Sequence, residues 1–87
     1  MSTQTIKATD EWKNVVTELS LDDGTKYILQ SGGDDVLRSL SAAEPTSLSD
    51  SFRMQSQEVW PFTASSSVPL WIKKRNFDTI VSVEEAP

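Results

Sequence analysis

Apolar residues along this chain are grouped in short, strand-length runs separated by turn residues rather than scattered. The clearest case closes the sequence. In Thr79-Ile80-Val81-Ser82-Val83-Glu84, Val81 and Val83 alternate with Ser82 and Glu84, which predicts one buried and one wet face. Leu70-Trp71-Ile72-Lys73 predicts a second strand. Here Trp71 is read as the core anchor, Lys73 shares its side near the strand end and Lys74 points out. Tyr27-Ile28-Leu29 and Val36-Leu37-Arg38-Ser39-Leu40 are further strand-length runs, and Phe52, Met54 and residues 57–60 supply one or two more. Between Glu11 and Leu21 the apolar positions Trp12, Val15, Val16, Leu19 and Leu21 fit a helical period as well as a bulged strand. Asn14, the two valines and Thr17 tilt this segment toward strand, because β-branched side chains suit a pleated surface.

Turn chemistry separates the runs. Asp22-Asp23-Gly24-Thr25 carries the Asp-Gly pair that supplies positive φ in tight hairpins, and apolar runs flank it. Ser31-Gly32-Gly33-Asp34-Asp35 is a second turn, and together the two turns hold all three glycines of the chain, a placement that suggests backbone geometry as their role. Residues 41–51, broken by Pro45, and residues 61–67, with a triple serine, read as loops. Residues 75–78 read as the last connection. Short strands at roughly ten-residue spacing predict an all-β chain, a small antiparallel β-sandwich or barrel of about six to seven short strands. It occupies residues 11–87 as a single β domain, behind a flexible N-terminal arm of residues 1–10 that alternatively docks on a neighbouring subunit.

Composition narrows the chemistry. The 87 residues include no cysteine and no histidine, so disulfides, thiolate or imidazole zinc sites and Ser–His or Cys–His pairs are excluded. A domain of this length buries only about 60–65% of its unfolded surface. With no covalent or metal staple available, association with other copies of itself is the favoured support. A net charge of −5 argues against nucleic acid as a partner, since phosphate affinity needs a concentrated basic face. No apolar run approaches the roughly 20 residues of a membrane helix, and the polar start lacks the apolar core of a secretory signal, so no membrane partner is expected and synthesis in the cytoplasm is.

No constellation points to catalysis. The pairs Asp22-Asp23 and Asp34-Asp35 match no calcium loop, and turn formation explains them better. Thirteen acids always place some pair at a glycosidase separation, but a domain this thin rarely excavates a deep cleft. A Ser–Lys dyad on Lys73 or Lys74 has no glycine-framed nucleophile near it. Lys73-Lys74-Arg75 beside Trp71 admits a base-stacking reading, yet a solvated strand end, with contact to an acidic patch as a minority alternative, ranks ahead of it. The expectation is therefore no enzyme, no metal and no cofactor. Trp12 is expected in the core with Trp71, since aromatics give a small core most of its area. Trp60 and Phe62 lie in Val59-Trp60-Pro61-Phe62, beside prolines and a serine-rich loop, and are the candidate partner-contact residues.

The order of these signals resembles a group of small accessory proteins of tailed bacteriophages and prophages. The resemblance rests on Asp23-Gly24-Thr25-Lys26-Tyr27-Ile28-Leu29-Gln30, on the loop Ala42-Ala43-Glu44-Pro45, on Leu70-Trp71-Ile72 and on Ile80-Val81-Ser82-Val83-Glu84, within residues 20–85. The chain departs from the common pattern in having no glycine between Ser49 and Ser56, which bears on the strand register there. The resemblance implies a virion-associated β-sandwich made in the host bacterium: a non-enzymatic structural protein that binds capsid or tail proteins as an oligomer. It carries over no functional residue. Two other classes remain open: a carbohydrate- or receptor-binding module of a fibre, and a small regulatory or inhibitor protein acting through an acidic surface.

Overall fold

The computed structural model describes residues 3–46 and 52–86. The elements run β1 (Gln4–Ala8), β2 (Lys13–Asn14), α1 (Val15–Glu18), β3 (Lys26–Ser31), β4 (Val36–Leu40), β5 (Phe52–Met54), β6 (Val59–Thr63), β7 (Leu70–Lys74) and β8 (Thr79–Glu85). Two four-stranded sheets form, ordered β1-β8-β3-β6 and β2-β7-β4-β5, and every pairing is antiparallel. The expected all-β sandwich is what the chain adopts.

Period-two alternation builds the core between the layers. The first sheet contributes Ile6 and Ala8 from β1, Tyr27 and Leu29 from β3, and Val81 and Val83 from β8. Register locks these together, with Ile6 opposite Val81 and Leu29 opposite both Val83 and Trp60. The second sheet contributes Val36, Met54, Leu70 and Ile72, all buried, with Val36 opposite Met54 and Leu40 opposite Leu70. Arg38 lies opposite Ile72 and so points inward as well.

The segment left open between strand and helix contains both. Lys13–Asn14 pairs with β7, and a single helical turn follows, because the Asn14 side chain accepts a bond from the Thr17 amide at 3.0 Å as an N-cap. Val15 and Val16 are buried, and the turn packs against β7. Residues 4–8, expected within the flexible arm, form the edge strand β1, held along its length by β8 in the same chain.

The Asp-Gly turn forms, but it is not a hairpin. Thr25 N–H donates to Asp22 O at 3.2 Å and Gly24 has φ +81°, the geometry of a type II turn. The strand after it pairs with β6 and β8, because α1 precedes it where a partner strand would be needed. The turn is tied instead to the chain after β6: Gly24 N–H donates to Ala64 O at 2.9 Å, and the Asp23 carboxylate accepts from the Ser66 amide and hydroxyl at 2.9 and 2.8 Å. The connections across residues 32–35 and 75–78 likewise pass between sheets, since β3 and β8 lie in one layer and β4 and β7 in the other. Residues 41–46 are irregular as expected, whereas the remainder of that predicted loop, residues 47–51, lies outside the described residues. Residues 61–63, read as loop, continue β6.

Candidate functional site

Strand β6 carries the two residues expected to touch a partner, and its parity decides what they do. Trp60 lies opposite Leu29 and Phe62 opposite Tyr27, both on the inward side of β3. Phe62 is 5% exposed. Its ring packs between Tyr27, with centroids 6.0 Å apart, and Trp60, at 5.7 Å and nearly parallel. From the opposite sheet the Arg38 guanidinium sits 4.0 Å from the Trp60 ring centroid, so the stack bridges the two layers at the open side of the sandwich. Burial disfavours the charged form of Arg38 and lowers its pKa, while the Glu58 carboxylate pulls it back up. Aromatic and guanidinium faces attract in such a partly desolvated place.

The expected exposure of the pair is thus corrected: Phe62 is a core residue and Trp60 a half-buried one packed against the core. What β6 shows to water is the other parity, Val59 at 54% exposure and Pro61. Proline at this position fits a strand at the edge of its sheet, where a missing N–H leaves fewer ladder bonds unmade. Ile28 stands beside Pro61, and Gln30 beside Val59, on the same outer face. Lys26 and Glu84 rim this patch, while Ile80, 51% exposed, lies on the same outer face beyond the polar pair Gln30 and Ser82.

Trp71 is also corrected. Leu70 and Ile72 are the buried residues of β7, so the indole between them lies on the outer face of the second sheet, opposite Asn14 and Ser39. It is half-buried and its Nε1–H donates to Ser41 O at 2.9 Å. Because Lys13 pairs with Ile72, Trp12 falls beside Lys73 on that same outer face, half-buried rather than in the core. Lys73 Nζ stands 5.9 Å from the Trp12 ring centroid. Here a cleft of about 420 Å³ opens, lined by Asp10, Glu11, Trp12, Glu44 and Lys73. Sequence reasoning did not foresee it, because its walls come from two loops and a strand far apart in the chain. The available signal was Trp12 next to Asp10-Glu11 in a segment whose period was undecided.

The basic cluster is divided among separate partners. Lys73 goes to Trp12, Lys74 pairs with Asp78 at 3.4 Å, and Arg75 pairs with Asp35 at 3.4 Å. Asp35 also holds Arg53 at 3.6 Å and accepts from the Ser56 amide at 2.9 Å, which gives this turn aspartate a role in tying the loops of the second sheet. Among the described residues no group of three or more carboxylates is placed to hold a metal ion, and no helix is long and apolar enough to cross a membrane. Comparison of the chain with family models, curated proteins and solved structures returned no match.

Proposed function

We propose that this chain is a non-enzymatic structural protein of a phage or prophage particle, which docks on a capsid or tail lattice and acts as an oligomer. The docking part is carried by one observation: Val59, Pro61 and Ile28 form an aliphatic patch on the water-facing side of the first sheet, with Lys26 and Glu84 at its rim. An apolar centre inside a polar margin is the composition that protein interfaces use. The particle assignment draws on the resemblance in the motifs of residues 20–85, and a thin, unstapled sandwich gains most from burying such a patch against neighbours.

Virions banded on a density gradient from a producing culture test this, with the chain followed by immunoblot and the purified protein sized by light scattering. The wild type should band with particles and sediment as a multimer, whereas folded Val59→Asp should stay at the top of the gradient. A strictly monomeric protein that never bands with particles would sink the proposal. Neighbouring genes for capsid or tail proteins would set it apart from a regulatory role.

A further inference from the structure

The outer face of the first sheet is laid out so that it can meet a copy of itself. Ile28 stands opposite Glu84 of β8 on one side and Pro61 of β6 on the other. Two residues away along β3, on the same face, lie Lys26 in one direction and Gln30, opposite Val59, in the other. Lys26 and Glu84 are exposed, and neither enters the ion pairs among the described residues, which join Lys7, Arg53, Lys74 and Arg75 to Asp35 and Asp78. We infer that this patch is the two-fold interface of a homodimer, closed by Lys26 of each copy against Glu84 of the other. The inference rests on the reading of the patch as a docking surface and names its occupant, a second copy of the chain.

Register supplies the geometry. Strands lie about 4.8 Å apart and rise about 3.3 Å per residue, so Glu84 stands about 5 Å to one side of Ile28 and Lys26 about 7 Å along the strand from it. A two-fold axis that lies in this face and runs diagonally through Ile28 toward Val59 therefore exchanges the places of Lys26 and Glu84. It sets Ile28 and Val59 each against its own counterpart, and Pro61 against the partner's Gln30. The strands of the two faces then cross at roughly 90°, the orthogonal class of sheet packing.

Charge selects the occupant. The chain carries a net charge of −5, so two copies approaching at random repel. At this patch one lysine balances one glutamate, and a two-fold contact needs a surface complementary to itself. A partner surface of a single sign would satisfy one of the two rim groups and oppose the other. The dimer presents every remaining surface twice, so it grips a repeating lattice through two contacts where a single copy has one. Release of Val59→Asp from particles follows from the loss of that second contact.

The test is sedimentation velocity of the purified full chain over a concentration series, with no particles present. The wild type should pass from monomer to dimer as concentration rises. Lys26→Glu and Glu84→Lys are exposed changes that should leave the circular dichroism spectrum unaltered. Each puts like charges at both ends of the contact and should weaken dimerisation about tenfold or more. Mixed in equal amounts, the two variants should dimerise again, because every rim contact across the axis then joins a glutamate to a lysine. The inference is overturned by a wild type that stays monomeric, by reversals that leave dimerisation undiminished, or by a mixture that fails to recover it. Particle banding is scored separately: a monomer that bands overturns the dimer and leaves lattice docking standing, whereas a dimer that never bands does the reverse.

Discussion

Two residues of one strand, Val59 and Phe62, differ in parity, and truncating each in turn separates stability from surface. Phe62 is 5% exposed and its ring lies between Tyr27 and Trp60. Phe62→Ala removes a buried ring and leaves a cavity that the two flanking aromatics fill only in part, at a cost of about 3–5 kcal/mol. The whole fold is expected to be worth only about 4–13 kcal/mol at this length, so the variant should sit near the edge of unfolding. At about 4–8 °C per kcal/mol for a domain of this size, the melting temperature should drop by at least about 12 °C. Val59 is 54% exposed, and Val59→Ser should change stability by no more than about 0.5 kcal/mol. Urea unfolding followed by tryptophan fluorescence, with thermal circular dichroism beside it, reads both. Phe62→Leu, which keeps much of the volume, should fall between them and remains measurable if the alanine variant is unfolded. A Phe62→Ala penalty below about 1 kcal/mol, or one smaller than that of Val59→Ser, would refute the inward parity of Phe62 and with it the choice of Val59 and Pro61 as surface.

Gly32→Ala should destabilise by about 1–3 kcal/mol, because an added Cβ would stand 2.5 Å from the backbone oxygen of Ile80, an atom that cannot swing aside. Gly33→Ala, where a Cβ meets nothing within 4 Å, is the control that should cost far less in the same urea titration. Asp35→Asn should lose about 0.5–1 kcal/mol by removing the charge that Arg53 and Arg75 share, and the loss should shrink in 1 M salt as screening weakens those part-exposed pairs.

The strand inventory was readable because alternation and turn residues are local signals: the runs at 27–29, 36–40, 70–73 and 79–83 all lie inside observed strands. Pairing was not readable, because it is a property of the layers. Among the described strands only β4 and β5 are consecutive and share a sheet, so a turn such as Asp22–Thr25, well formed in itself, leads away from its upstream neighbour. The amino-terminal segment shows the same limit from the other side. Gln4–Ala8 has only Ile6 and Ala8 to bury, too little apolar surface to stand out in sequence, yet both lie against the core once β8 offers its edge.

Site residues were less legible still, for a reason that follows from the period of two. A strand's inward set is fixed by its partners, and an error of one residue exchanges the faces. In Val59-Trp60-Pro61-Phe62 the bulky aromatics drew attention as contacts, but Phe62 opposite Tyr27 and Trp60 opposite Leu29 put them inside, which leaves the smaller Val59 and Pro61 on the surface. In Leu70-Trp71-Ile72 the same rule works in reverse: two aliphatics enter the core, so the largest side chain goes out and finds a carbonyl on Ser41 for its N–H. Volume alone would have sent all three aromatics inward, which is right for Phe62 and Trp60 and wrong for Trp71. A tryptophan left on an outer face and hydrogen-bonded to a loop ties that loop to its sheet, as the 2.9 Å bond from Trp71 Nε1–H to Ser41 O does for the chain that follows β4.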